Sequence, residues 1–209
     1  ACLLTEALPA AEFAGGTGEP NDPYQIATAE QLCSIGSDPN LLDKHFVLTA
    51  DIDLDPNLPS GKLFDRAVIA PGQGMNSPEG TLVGAAFTGV FDGDGHTISN
   101  LTIQGTSYLG LFGAVSGVVR NVGVADANVV GSDSRVGLLA GAVEGSVTQC
   151  HSDGAATGGG WVGGLVGQLV EGRIVRCYSD ARVVAVRDYA GGLVGGNGAG
   201  NVVLGHATG

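Results

Sequence analysis

The sequence predicts an all-β solenoid in which each coil holds three short strands and three turns. First, the string VGGLVG at residues 162–167 returns almost unchanged at 190–195 and more loosely at 136–141 and 108–113. Second, the closing glycines of these copies lie at positions 113, 141, 167 and 195, so the intervals between them are nearly constant. Third, 37 of the 209 residues are glycine, and glycine pairs beside β-branched residues disfavour helices. A near-constant period of this size indicates stacked repeats, with about 27 residues per coil.

Composition and charge narrow the classes of function. The formal net charge is −12, with only nine Lys and Arg residues, so the surface repels nucleic acid phosphates and anionic membranes. The sequence has no apolar run of the roughly 18 residues needed to insert across a bilayer, and its apolar content of 44% is too high for a disordered chain. The chain begins with Ala1 rather than Met, which fits a secreted protein after signal cleavage, or a fragment.

Residues 1–54 are expected to hold an N-terminal tail, a capping helix and the first strands. Thr28 is the expected N-cap of the helix, and Gln31 three residues later completes a capping box. The helix is predicted over about 29–35, with its end at Gly36. At this position it would cover the core and the strand edges of the first coil.

Residues 55–86 are rich in Pro, Gly and Asn and predict a long irregular loop with a short strand at 68–69. Residues 87–209 predict the regular coils, all within a single structural domain. From residue 108 onward the repeats align one apolar position in every coil. We expect these residues to form an interior leucine column: Leu111, Leu139, Leu165 and Leu193.

A second internal match sets an expected register at the start of the coils. The string TISNLTI at 97–103 resembles VVRNVGV at 118–124, with an offset of 21 residues. This match predicts that Asn100 and Asn121 stack in adjacent coils as a hydrogen-bonded ladder.

The repeat is similar to the GLUG motif, which is named for its Gly-Leu-Val-Gly-like core. The cleanest match is WVGGLVGQLVEGRIVRCYSDARV at 161–183, and the preceding segments resemble the region that often comes before such repeats in large bacterial exported proteins. The resemblance covers roughly residues 13–209, although the copy at 108–113 lacks the glycine pair. It implies a right-handed parallel β-helix in a secreted or cell-surface protein, as in adhesin-like proteins and the N-terminal regions of IgA-protease-type peptidases. The motif contains no catalytic residues, so the resemblance implies none here.

The four cysteines offer two pairings. Cys150 and Cys177 occupy the same repeat position, and a coil spacing of about 4.8 Å lies within the Cα separations that permit a disulfide. The alternative is a column of buried free thiols. Cys2 and Cys33 form the second predicted pair, which would tie the tail to the capping helix.

Two acidic groups are candidates for calcium, the one cofactor that the sequence suggests. One lies in and just after the predicted strand at 45–54, the other lies in the predicted tight turn at 92–95, and both offer oxygen ligands. Neither matches an EF-hand or a nonapeptide calcium repeat, so turn stabilisation is the favoured interpretation. The residues are Asp51, Asp53, Asp55, Asp92 and Asp94.

The outer columns are where we expect function. Trp161 and Tyr189 occupy equivalent positions with Arg135 one coil earlier, and an exposed aromatic column can stack on sugar rings or meet a protein. The alternative is a packed corner. Two further columns are interpreted as surface or turn residues rather than as an acid–base site. The first holds His151, Tyr178 and His206, and the second holds Asp153 and Asp180.

These features predict a non-enzymatic structural or adhesive β-helix module at the cell surface, self-assembling end to end into a filament. Its expected partners are a second copy, a carbohydrate or a cell-surface protein, with no nucleic acid and no membrane insertion. A carbohydrate-binding or polysaccharide-processing β-helix is the first alternative. An N-terminal fragment of a larger exported protein is the second.

Overall fold

The structure is a computed structural model that describes residues 12–58, 61–71 and 84–208. A helix, α1, spans Ala29–Ser37, and a 3-10 turn follows at Pro39–Leu41. The strands are, in chain order, β1 (Tyr24–Ile26), β2 (His45–Leu48), β3 (Ile52–Asp53), β4 (Val90–Asp92), β5 (Thr97–Ser99), β6 (Thr102–Gly105), β7 (Phe112–Val115), β8 (Val118–Arg120), β9 (Gly123–Gly131), β10 (Ser134–Val136), β11 (Ala140–Val143), β12 (Ser146–Thr148), β13 (His151–Gly163), β14 (Val166–Leu169), β15 (Arg173–Val175), β16 (Tyr178–Ser179), β17 (Arg182–Gly191), β18 (Val194–Asn197), β19 (Asn201–Val203) and β20 (His206–Ala207).

Parallel pairing of these strands builds a solenoid with three sheets along its sides. The first sheet has the order β1-β2-β4-β8-β12-β15-β19, and the third has the order β7-β11-β14-β18. The second runs β3-β5-β9-β13-β16-β20, with β6 on β9 and with β10 and β17 on β13. In the first sheet one position of each successive coil is in register, through Val90, Val118, Ser146, Arg173 and Asn201. The predicted parallel β-solenoid and its predicted coil length are therefore confirmed.

The capping helix begins where the sequence predicts and ends two residues later. The Thr28 hydroxyl accepts a hydrogen bond from the Gln31 backbone N–H at 3.3 Å, and the Gln31 side chain in turn accepts from the Ala27 N–H at 2.8 Å. Gly36 continues the helix instead of ending it. A side chain at Gly36 would overlap the Val68 carbonyl, so this glycine is explained by close packing rather than by chain termination.

The core is one continuous apolar column that changes in composition along the axis. Near the helix, neighbouring phenylalanine rings contact one another at centroid distances of 5.4 to 6.2 Å; these are Phe46, Phe87, Phe91 and Phe112. Later coils fill the same space with Val, Leu and Cys. Leu111, Leu139 and Leu165 are fully buried. Leu193 is only partly buried, because it lies in the last described coil.

The offset of 21 residues between the two Asn-containing strings is wrong as a register. Strand β5 pairs with β9, so that Ile98 lies beside Val124, while Asn100 and Asn121 occupy different corners of the solenoid. Both asparagines have left-handed backbone, with φ of 59° and 53°. The two strings are alike because each forms a strand, a left-handed corner and a second strand, and Asn adopts that corner conformation readily.

Parts of the predicted loop at 55–86 pair with the coils. Phe64 forms a parallel bridge to Ile103, and Ile69 forms one to Phe112. Phe64, Val68 and Ile69 are buried in the core. The described part of this segment therefore completes sides of the first coils.

The closing glycine of each repeat lies against the corner of the preceding coil. A Cβ on Gly167 would lie 2.7 Å from the carbonyl carbon of Arg135 and 2.6 Å from the Val136 nitrogen. A Cβ on Gly195 would lie 2.6 Å from the carbonyl carbon of Trp161, and one on Gly141 would lie 2.6 Å from that of Tyr108. Glycine is needed here because each strand passes directly over the backbone that carries an outer-column residue.

Candidate functional site

Four residues from successive coils form an outer column, which we call the corner column: Tyr108, Arg135, Trp161 and Tyr189. All four have left-handed backbone, with φ of 55°, 65°, 48° and 60°. This conformation is uncommon for bulky residues and carries a cost on the order of 1 kcal/mol or more each. It turns the chain towards the strand whose second residue is the closing glycine, so the repeat itself places one corner residue above the next.

Arg135 is held between two aromatic rings. Its Cζ lies 4.8 Å from the Tyr108 ring centroid and 4.4 Å from that of Trp161. The guanidinium is buried, with 7% of the residue exposed, and its Nε donates to Gln168 Oε1 at 2.6 Å. Burial raises the pKa of Tyr108, and the positive charge of Arg135 lowers it to a smaller extent. Cation–π contacts of this kind contribute roughly 0.5 to 2 kcal/mol each.

The far end of the corner column is open to solvent. Tyr189 is 66% exposed and stacks on the partly buried Trp161 with 6.1 Å between ring centroids and 28° between ring planes. A shallow pocket of about 190 Å³ lies beside the two rings. We call it the corner pocket; it is lined by Asp133, Ser134, Gly160, Trp161, Arg187, Asp188 and Tyr189.

A β-bulge and a glycine shape the polar side of this pocket. Strand β17 carries one extra residue opposite β13, because the pairing moves from Gly158 with Ala185 to Gly160 with Asp188. The bulge turns Arg187 back across Gly159, and its Nη2 donates to Asp133 Oδ1 at 2.7 Å across 54 residues of sequence. A Cβ on Gly159 would lie 2.9 Å from Arg187 Cζ, so this glycine leaves room for the ion pair.

Sequence reasoning named three corner-column residues and missed Tyr108, Asp133 and Arg187. Tyr108 is hidden because its repeat is one residue shorter between the corner and the closing glycine, so that the aligned strings place it opposite Val136 instead of Arg135. The bulge does leave a trace in the spacing, since the interval between the closing glycines at 167 and 195 is longer than the one before it. The spacing alone does not indicate which residue is extra or where its side chain points.

The predicted disulfide between Cys150 and Cys177 is not formed. Both cysteines are free thiols, and each Sγ lies near backbone carbonyls, at 3.3 Å from Thr148 O and 3.4 Å from Val175 O, respectively. In-register neighbours project in the same direction, so their Cβ atoms stay about one strand spacing apart, beyond the roughly 3.8 Å of a disulfide. Cys33 is also a free thiol, and its predicted partner Cys2 lies outside the described residues.

The carboxylates of four of the five calcium candidates accept hydrogen bonds within and between coils, and Asp94 contributes its backbone N–H. Asp51 Oδ1 accepts from the Thr97 N–H at 2.9 Å and lies 3.0 Å from His96 Nδ1. The hydrogen bond from Thr97, followed by that from His96, lowers the pKa of Asp51. Asp53, Asp55 and Asp92 accept hydrogen bonds from nearby backbone or side chains, and the Asp94 N–H donates to Asp92 at 3.0 Å. Within residues 12–58, 61–71 and 84–208, no group of three or more His, Cys, Asp or Glu is placed to hold a metal ion.

Two other outer columns stack in register. The Tyr178 ring lies between His151 and His206, at centroid distances of 5.0 and 5.3 Å, with nearly parallel planes. Asp153 accepts a hydrogen bond from the Asp126 N–H at 2.8 Å, and Asp180 accepts one from the Thr208 hydroxyl. These acids bond to neighbouring coils or turns.

Comparisons with known proteins match the chain to short stretches of much longer proteins. No family model matches the sequence. A stretch of 153 residues, 71% of this chain, is 34% identical to halomucin from Haloquadratum walsbyi and spans 2% of that protein. A stretch of 137 residues, 62% of this chain, is 34% identical to a candidate Gly-rich membrane protein from Evansella cellulosilytica and spans 14% of it.

The fold is similar to the crystal structure of a candidate immunoglobulin A1 protease from Bacteroides ovatus. The TM-score is 0.65 over 91% of this chain and 67% of that chain, at 23% sequence identity. This likeness shows the fold alone, and the GLUG resemblance stays a prediction. No helix among the described residues is long and apolar enough to cross a membrane.

Proposed function

We propose that this chain is a non-enzymatic structural and adhesive module of a longer surface protein. The relatives support a longer protein, because the matched stretch is only 2% of one and 14% of the other. The name of the second relative supports an association with the cell envelope. Parallel coils with a continuous core supply the rigid scaffold that such a module needs.

The observation that carries this proposal is how the polar side chains are divided between two roles. Most of those considered above connect one coil to the next, as Arg120 does with Asp92 at 2.7 Å and Asn100 with Asp53 at 2.8 Å. The corner pocket instead turns two aromatic rings towards solvent, beside the Asp133–Arg187 ion pair, which also connects coils but leaves both side chains partly exposed. A scaffold whose coils are connected internally and that presents recognition groups on one corner fits adhesion better than catalysis.

The adhesive role is tested by attaching the folded chain to beads and measuring their retention under flow. The surfaces are a neutral polysaccharide film, a protein film and a phospholipid bilayer, with beads carrying the unfolded chain as the control. We expect retention on at least one surface that exceeds the control and requires the folded chain. Equal release from all three surfaces would contradict the adhesive role.

A second candidate function, end-to-end assembly, is favoured by the apolar residues of the last described coil. Val202, Val203 and Leu204 are 41%, 49% and 70% exposed, and one edge of β19 pairs with no further described strand. Parallel edges of this kind favour pairing with another strand. Where no further coil of the same chain pairs with this edge, we propose that a second copy stacks there. Light scattering over a wide concentration range should show reversible association, and a strictly monomeric chain would contradict this candidate.

A further inference from the structure

We propose that the corner pocket binds a pyranose ring of a neutral polysaccharide. This inference rests on the adhesive function and names the surface to which the module would attach. It is carried by three neighbouring features on the outer corner of the solenoid: the Trp161–Tyr189 stack, the Asp133–Arg187 ion pair, and the bulge that brings them together.

The aromatic side matches the apolar face of a sugar. Pyranose rings carry a patch of C–H groups on one face, and rigid amphipathic rings such as Trp and Tyr bind such patches with little loss of side-chain entropy. Tyr189 is 66% exposed, while Trp161 is fixed from behind by the Arg135 guanidinium at 4.4 Å. The platform is therefore held in place before a ligand arrives, which lowers the cost of binding.

The polar side matches the hydroxyl groups at the edge of the same ring. Arg187 has five N–H groups and the Asp133 carboxylate has about four acceptor positions, of which their mutual bond occupies one each. Both side chains are partly open, with 59% and 44% exposed. A sugar diol can therefore donate to the carboxylate and accept from the guanidinium, with the Ser134 hydroxyl available in the same pocket.

The charge balance favours a neutral sugar over an acidic one. The charges of Asp133 and Arg187 cancel, and Arg135 behind Trp161 offsets Asp188, which also lines the pocket. The pocket therefore offers no net positive charge to an acidic sugar, and the charge of −12 on the whole chain disfavours a uronic acid or sulfated sugar. The pocket is shallow and about 190 Å³, which suits one ring of a chain that passes across the surface.

Trp161 is the one tryptophan of the chain, so its fluorescence reports directly on the pocket. The experiment titrates the folded chain with three neutral hexasaccharides, made of β-linked glucose, α-linked glucose and β-linked mannose. For a single ring of about 12 heavy atoms we expect a Kd on the order of 1 mM. At least one probe should shift the emission with saturation. No shift with any of them up to about 10 mM would overturn the proposal.

Two variants and one matched control separate the pocket from the rest of the surface. Tyr189→Ala should weaken binding about five- to tenfold, because one stacking face is lost. Gly159→Ala should also weaken binding, because its methyl group displaces Arg187 while the aromatic rings stay in place. Tyr178→Ala removes an exposed tyrosine from another column and should bind as the wild type does. Equal Kd values for Tyr189→Ala and the wild type would overturn the proposal.

Two further probes test the class of ligand. Hexagalacturonate should bind more weakly than the neutral probes, and tetramethylammonium should leave the emission unchanged. Preference for either would replace the neutral sugar with an acidic sugar or a cation. Bead retention distinguishes this inference from the adhesive function itself. If beads carrying Tyr189→Ala are retained on the polysaccharide film as well as wild-type beads, adhesion stands and the saccharide site fails.

Discussion

Replacement of Gly167 by alanine tests the close passage of each repeat over the corner of the preceding coil. The added Cβ would lie 2.6 Å from both Gly141 O and Val136 N, and 2.7 Å from the carbonyl carbon of Arg135. These separations are roughly 0.8 Å shorter than ordinary van der Waals contact. All three neighbours are backbone atoms of paired coils, so no side chain can rotate away to relieve the overlap.

The expected destabilisation follows from these contacts. Overpacking of a rigid core costs about 1 to 3 kcal/mol, and backbone neighbours favour the upper end of that range. Alanine also restricts the unfolded chain more than glycine does, which stabilises the folded state by about 0.4 to 1 kcal/mol. The net loss is therefore about 2 kcal/mol, which for a chain of this length lowers Tm by about 4 to 8 °C.

Denaturant and thermal unfolding of three alanine variants measure this effect. Gly195→Ala makes similar contacts, at 2.5 to 2.6 Å, but it lies in the last described coil and should cost less than Gly167→Ala. Gly15→Ala is the matched control, because its nearest neighbours are side-chain atoms of Gln25 at 3.2 Å. Stability of Gly167→Ala within about 0.5 kcal/mol of Gly15→Ala, the usual range for surface changes, would refute the close passage.

Three further expectations concern the left-handed corners, a buried thiol and a carboxylate between coils. Leu204→Asn should stabilise the chain by up to about 1 kcal/mol in denaturant unfolding, because Leu204 is exposed with φ of 55° and Asn tolerates this conformation. The control is Val203→Asn at the neighbouring position, which has no positive φ and where the substitution should not raise the free energy of unfolding. Burial raises the pKa of Cys150 above its ordinary 9.0, so its contribution to the free energy of unfolding should be present below pH 9 and lost as the pH rises above it. The free energy of unfolding of Cys150→Ala should therefore fall less above pH 9 than that of the wild type, and an equal fall in both proteins would contradict this expectation. Burial raises the pKa of Asp92, but hydrogen bonds from Asp94, Asn121 and Arg120 outweigh this effect, and the pKa lies below 3.8. The contribution of Asp92 to the free energy of unfolding should therefore be lost as the pH falls below about 3.8, and Asp92→Asn should remove that part of the acid dependence of stability.

The period and the capping helix could be predicted from sequence because local signals determine both. Copies of VGGLVG recur at nearly constant spacing, and parallel stacking of identical units is the simplest way to bury their apolar positions. Thr28 and Gln31 indicate the helix start because capping depends on residues within one turn. The end of the helix could not be predicted in this way, because Gly36 packs against Val68, which is distant in sequence.

The register of the first coils and most of the corner pocket could not be predicted from local signals either. Asn100 and Asn121 have similar local sequences at two different corners, and the sequence does not distinguish a repeated corner from a repeated coil. Arg187 reaches Asp133 only because a bulge in β17 re-aims its side chain, and bulges redirect side chains without a strong sequence signal. Cys150 and Cys177 do not form a disulfide because in-register side chains on parallel strands project in the same direction, which keeps their Cβ atoms about one strand spacing apart.

Stacking of residues one coil apart into an outward column is tested most directly by the through-space NMR contacts of Trp161. The structure places the Arg135 guanidinium on one face of the indole and the Tyr189 ring on the other. Indole protons should therefore show contacts to Arg135 side-chain protons and to Tyr189 ring protons, and the Arg135 signals should move when Trp161 is replaced by leucine. Contacts of Trp161 to residues outside the corner column, without those to Arg135 and Tyr189, would contradict the coil register on which the pocket depends.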